Sequence, residues 1–233
     1  MKVPNTRLQV RIRTGASGGV DIDVAVPARR KRPRRARTLQ ILFVAADPHA
    51  TPRLELDREC AAIQRELSIA LDRDQFRFES RWATSIDDLL RHLTHLEPTV
   101  LHFSGHGRSG SGLVLQDELG RPQPVSTRAL TMMIGAASQN LRLVVLNACY
   151  SAAQAAVLCR AADCVIGMDG AIADGAARVF AACLYGAIGS RRSVGNAFEL
   201  ATAALVANEL PDAATPRCLT RSGIDPYDIV LAR

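Results

Sequence analysis

The chain has 233 residues, 48% of them hydrophobic and 22% charged, which suits one domain with a full core plus a small appendage. No apolar run reaches the ~18 residues needed to cross a bilayer, and the N-terminus lacks the uninterrupted apolar stretch of a secretion signal. A cytoplasmic location is therefore expected, with the six cysteines as reduced thiols; they lack the CxxC spacing of a metal framework.

The net charge of +6 is local. In RRKRPRRAR (29–37) seven of nine residues are basic, and the rest of the chain carries 22 basic against 23 acidic residues. The run reads either as a contact for phosphate or an acidic partner, or as a solvated, self-repelling linker. With 4% aromatic residues there is little material for stacking bases, so nucleic acid is assigned no surface beyond this run.

Before the run, RLQVRIRT (7–14) and VDIDVAVP (20–27) alternate apolar and polar residues around GASGG, the pattern of a β-hairpin. From residue 38 strands and helices alternate. LQILFVA (39–45) is a strand buried on both faces. Leu56, Cys60, Ile63, Leu67 and Leu71 then mark one face of a helix, with Thr51 and Pro52 fit for its cap and first turn. FRFESRW (76–82) is a strand, and the helix 84–96 opens on Thr84 with Asp87 as capping-box partner.

PTVLHFS (98–104) is the third strand, followed by a glycine-rich loop and a hairpin at 112–125. Ser126 starts a helix, LRLVVLN (141–147) is an apolar strand, and a helix begins near Ser151. DCVIGM (163–168) is a strand, 175–190 and 194–208 are helices, and DPYDIVLA (225–232) reads as a last strand. This order predicts right-handed crossovers and a mainly parallel sheet between two helical layers, an α/β/α architecture.

Ligands of such sheets sit at the carboxyl ends of the strands. There the chain places Gly105-His106-Gly107 after one strand and Asn147-Ala148-Cys149 after another. If the two strands are neighbours, imidazole and thiol share a crevice. The glycines permit a tight backbone path, and the helix after Cys149 presents its positive end to a thiolate. A thiolate with an imidazole in reach performs acyl transfer. The other five cysteines, Cys60, Cys159, Cys164, Cys183 and Cys218, read as small buried hydrophobes, and His102 as a core histidine. His92, His95, His102 and His106 fall within fifteen residues, but the strand separates the first pair from His106 by on the order of 20 Å, so no metal is assigned. No cofactor is called for either: neither GxxxxGK[ST] nor GxGxxG follows the first strand.

HFSGHG, followed 43 residues after its histidine by the cysteine of LNACYS, resembles the CHAT domains, relatives of caspases, separases and gingipains. ILFVAADP, LELDRECAAI, VIGMDGAIADGAARVFAACLY and SVGNAFELA extend the likeness over about residues 38–210, with the hairpin 1–28 and linker 29–37 ahead of a peptidase domain at 38–233. The resemblance implies a caspase-like fold and cysteine endopeptidase activity on a protein substrate. His106 would be the general acid/base, Cys149 the nucleophile, and the N–H groups of Gly107 and Cys149 the oxyanion hole. It further implies a setting in bacterial defence or regulated cell death, beside a sensor or adaptor partner. Asp174 is the candidate floor of the first specificity pocket, with a helix N-cap as its plain alternative. Asp47 is a second candidate and Asp169 a third. The acid that metacaspases carry two residues before the cysteine is Asn147 here, so that position is kept for substrate binding without their specificity. Against the enzyme stands a catalytically silent scaffold whose hairpin adds to a neighbour's sheet edge.

Overall fold

The computed structural model describes residues 9–14, 20–25, 38–49, 51, 53–108, 112–138 and 140–232. The chain divides into two units, Met1–Arg37 and Thr38–Arg233. In the first, β1 (Gln9–Thr14) and β2 (Val20–Ala25) pair antiparallel, Gln9 opposite Ala25 and Thr14 opposite Val20. That is the expected hairpin. Its glycine-rich connection and the basic run lie outside the described residues.

The second unit begins with β3 (Leu39–Ala46), α1 (Leu56–Ser68), β4 (Phe76–Arg81), α2 (Ile86–Leu96) and β5 (Val100–Gly105). A small antiparallel sheet follows, made of β6 (Gly107–Arg108), β7 (Gly112–Gln116) and β8 (Pro122–Val125). Then come α3 (Thr127–Ala137), β9 (Leu143–Asn147), α4 (Ala152–Leu158), β10 (Cys164–Met168), α5 (Asp174–Gly189), α6 (Val194–Ala207) and β11 (Pro216–Thr220). The main sheet runs β11-β10-β9-β5-β3-β4, parallel throughout except for β11.

Alternation along β3 divides the core. Ile41, Phe43 and Ala45 pack with residues of α1, α5 and α6, whereas Leu42, Val44 and Ala46 pack with α2, α3 and α4. A strand covered on both faces has no use for polar positions, which is why its sequence is apolar everywhere but at Gln40. The three-layer α/β/α architecture is as expected.

Several boundaries differ. The N-cap of α1 is Glu55, not Thr51, whose hydroxyl donates to the Pro48 carbonyl instead. The helix ends at Ser68, leaving Leu71 exposed. The cap of α2 is Ser85, which accepts from the Asp88 N–H; Thr84, one residue earlier, is buried. The tail 225–232 is not a strand: Asp225 accepts from the Tyr227 N–H and turns Pro226–Asp228 into a 3-10 helix, leaving one bridge, Ser193 to Val230. The last strand is β11, which opens on a proline and lies on the sheet edge, where a missing N–H is tolerated.

Candidate active site

β5 and β9 are adjacent, and their ladder ends on the rung Ser104 to Asn147. His106 and Cys149 each lie two residues beyond that rung, so both come off the same end of the sheet at the same height. The flanking glycines are required by close approach. A Cβ on Gly105 would stand 2.6 Å from the Ala46 carbonyl oxygen, and one on Gly107 only 2.0 Å from that of Cys149. Neither glycine is among the described residues with positive φ, so the expected unusual backbone path gives way to a steric explanation.

The strain sits one residue after the thiol. Tyr150 has φ 57° and donates its N–H to the Gly170 carbonyl at 2.9 Å, turning the chain from β9 toward α4. The Cys149 sulfur accepts the Ile172 N–H at 3.5 Å and its S–H points to the Ile172 carbonyl at 3.9 Å. This backbone contact replaces the expected helix end, since α4 is only seven residues long. The loop carrying Ile172 is anchored by Asp212, which accepts the Ala173 N–H at 2.9 Å, and by the Asp169 N–H on the Thr215 carbonyl at 2.8 Å.

Two backbone donors at the site meet no acceptor among the described residues. Val114 N–H donates to the His106 carbonyl, which makes Gly107 and Leu113 a non-hydrogen-bonded pair of the antiparallel ladder. The Gly107 N–H therefore points away from β7, toward the open side of edge strand β6. The Cys149 N–H meets no acceptor among the described residues.

Nε2 of His106 lies 3.4 Å from Oδ1 of Asp47, and both atoms are buried without a hydrogen-bond partner among the described residues. Asp47 follows β3, the strand beside β5, and so reaches the imidazole from the flank.

Beneath the rim lies a polar cluster that periodicity alone does not reveal. Glu59 of α1 is 4% exposed, and its Oε1 is 2.7 Å from both His102 Nε2 and Asn147 Nδ2. Its Oε2 accepts from Ser104 Oγ at 2.6 Å. With the Nε2 proton of His102 directed at Glu59, its Nδ1 accepts from the Tyr185 hydroxyl at 3.2 Å. Burial, then the Glu59 charge, pushes the Tyr185 phenol well above its ordinary range and keeps that hydroxyl protonated. His102 is indeed a core histidine, stacked on Phe43 at 5.1 Å. The available signal for Glu59 was its place on the α1 stripe, three residues after Leu56 and four before Ile63.

Among the substrate-binding candidates, Asn147 is buried: its amide also donates to the Ala177 carbonyl at 3.1 Å, while its Oδ1 has no partner. Asp174 is half-buried in the first turn of α5, two residues past Ile172. It is not the N-cap, which is Ala173; its carboxylate accepts the Glu55 N–H at 3.0 Å. Asp169 is exposed and paired with Arg217.

Of the other thiols, Cys60, Cys159 and Cys164 are buried as expected, whereas Cys183 and Cys218 are only half-buried, and the hydrogen bond shared with Cys164 lowers Cys218. Burial pushes Cys60 up to about 11, and raises Cys159 and Cys183. Cys164 is raised by sharing a hydrogen bond with Cys218, at 3.4 Å, and by burial.

A family model described as the CHAT domain matches residues 19–219. The chain is 27% identical over 183 residues to a Roc-COR-CHAT protease from an unknown prokaryotic organism, a match covering 75% of this chain and 17% of that protein. It is 26% identical over 147 residues to a probable protease from Gillisia limnaea, covering 62% and 26%. The chain thus spans well under a third of either relative's length. Among solved structures, a secreted C11 cysteine protease from Bacteroides thetaiotaomicron, in complex with an irreversible peptide inhibitor, superposes with TM-score 0.56 at 13% identity, covering 79% of this chain and 66% of that one. Caspase-1 from Spodoptera frugiperda gives TM-score 0.53 at 12% identity, covering 84% and 93%. These two likenesses establish the caspase-like fold.

Proposed function

The chain belongs to the CHAT domain family, and we propose that it is a cysteine endopeptidase working through Cys149 and His106. The observation that carries this reading is the shared register of β5 and β9, which brings the two reactive residues off one rung while Gly107 packs against the Cys149 carbonyl.

In the acylation step His106 takes the Cys149 thiol proton and the sulfur attacks the scissile carbonyl carbon, forming a C–S bond. The carbonyl electron pair moves onto oxygen, where the N–H groups of Gly107 and Cys149 receive it. His106 gives a proton to the departing amine as the C–N bond breaks. In the second step His106 takes a proton from water, the hydroxide attacks the thioester, and as the C–S bond breaks His106 returns its proton to the sulfur, releasing the acid and restoring the thiol. Each oxyanion donor of this kind contributes about 3–4 kcal/mol in proteases. Asp47 holds the imidazole with Nε2 toward its carboxylate, a role in orientation rather than in reading substrate.

Asp174 remains the candidate for reading the first side chain, supported by its place two residues past the loop that touches the sulfur. It favours an arginine or lysine before the cut. The setting we propose is a bacterial defence or regulated cell-death system, with a sensor or adaptor protein as activator. The test is hydrolysis of fluorogenic peptides bearing Arg, Leu or Asp before the cleaved bond. Wild type should cleave the Arg peptide best, and Cys149→Ala and His106→Ala should cleave none; turnover surviving in Cys149→Ala would refute the reading.

A further inference from the structure

The stripe of α1 that faces the sheet reads Leu56, Glu59, Cys60, Ile63 and Leu67, so a carboxylate occupies a place where a leucine would fit. Burying a carboxylate is costly, and replacing a buried ionic group by a packed apolar one is often neutral or stabilising. Global stability is therefore a poor reason for Glu59. Its three donors suggest another. Ser104 and His102 belong to β5, Asn147 belongs to β9, and Ser104 and Asn147 are partners on the final rung of that ladder.

Resting on the assignment of His106 and Cys149 as the dyad, we infer that Glu59 is a positioning residue: its carboxylate lashes the last rung of β5 to that of β9 and so sets the relative placement of imidazole and sulfur. The tie lies two residues, or ~7 Å of extended chain, from each reactive side chain. A slip of one strand against the other passes with little attenuation to the distance between sulfur and nitrogen. Asn147 extends the tie to α5 through the Ala177 carbonyl, and Tyr185 of α5 closes it from behind through His102. The cluster thereby spans both strands and both helices that frame the site.

The two ends of the carboxylate have different demands. Oε1 serves two donors, whereas Oε2 serves a hydroxyl that can turn and accept. A glutamine keeps the first oxygen and donates its amide to the turned Ser104 hydroxyl. Glutamine should therefore restore function and leucine should not.

The experiment measures inactivation of the full chain by a peptidyl chloromethyl ketone with a terminal arginine, separating the maximal rate from the half-saturating concentration, alongside melting temperature. For Glu59→Leu the maximal rate should fall ~30–100-fold, the scale of a 1 Å misplacement, with half-saturation within threefold of wild type. Glu59→Gln should stay within ~3-fold of wild type on both. A folded Glu59→Leu protein with the wild-type maximal rate overturns the inference. So does Glu59→Gln as impaired as leucine, or a loss confined to half-saturation, which would make Glu59 a reader of substrate. If Glu59→Leu does not fold, Ser104→Ala decides: a maximal rate reduced ~5–10-fold supports the tie, and an unchanged rate overturns it. A wild type that takes no label on Cys149 fails the dyad itself, and this inference with it; labelled wild type with indifferent variants fails only the inference.

Discussion

Asp47 Oδ1 stands 3.4 Å from His106 Nε2, and neither atom finds another partner among the described residues. A contact of that length, between two buried groups that need each other, is one that tightens when substrate closes the crevice. Asp47→Asn should therefore lower kcat by ~10–100-fold while KM changes less than threefold, the mark of an interaction that matters in the transition state. Steady-state kinetics on the best peptide substrate checks this. A change confined to KM would return Asp47 to the substrate pocket.

Gly107→Ala is expected to abolish turnover, because the new Cβ would lie 2.0 Å from the Cys149 carbonyl oxygen and force the two loops apart. Gly175→Ala is the control, as its Cβ would meet nothing within 4 Å. Peptide hydrolysis and circular dichroism on both variants separate a displaced site from an unfolded chain.

Alkaline pH should weaken the fold. The Cys60 thiol is raised from 9.0 to about 11, chiefly by burial, so the unfolded chain loses this proton first. Its contribution is complete below pH 9.0 and fades as pH climbs to about 11. Cys159 and Cys183 act in the same direction. Melting temperature should drop between those limits, and Cys60→Ala should show a shallower drop than wild type.

If Asp174 makes the first pocket select basic side chains, RRKRPRR is a substrate carried by the chain itself. Activated wild type should be cut within 29–37 while Cys149→Ala stays whole, as read by intact mass. An uncut wild type that cleaves an external peptide would remove self-processing.

The parts of the fold legible in the sequence were those where one physical demand dominates. β3, β5 and β9 are buried on both faces, so apart from Gln40 and His102 they are apolar until the chain reaches the rim at Ser104 and Asn147. The rim position of His106 and Cys149 followed, while the adjacency of β5 and β9 was only a condition, one that the sheet order meets. Glu59 was hidden because periodicity scores it as a break in an apolar stripe, and only the arrival of three donors from other elements explains it. Asp47 could be placed at the rim, yet its facing partner depends on the β3–β5 adjacency that the sequence order leaves open. The tail 225–232 misled because the apolar run Ile229-Val230-Leu231-Ala232 looks like a strand even where Asp225 and Pro226 close a turn just before it.

The central claim is that Cys149 is a nucleophile made competent by His106. Its most direct measurement is peptide mapping by mass spectrometry after treatment with a peptidyl electrophile, for wild type, Cys149→Ala and His106→Ala. Wild type should carry a single adduct on Cys149, Cys149→Ala none anywhere, and His106→Ala should label at least ~100-fold more slowly. An adduct that persists on another cysteine in Cys149→Ala, or a wild-type rate in His106→Ala, would contradict that claim.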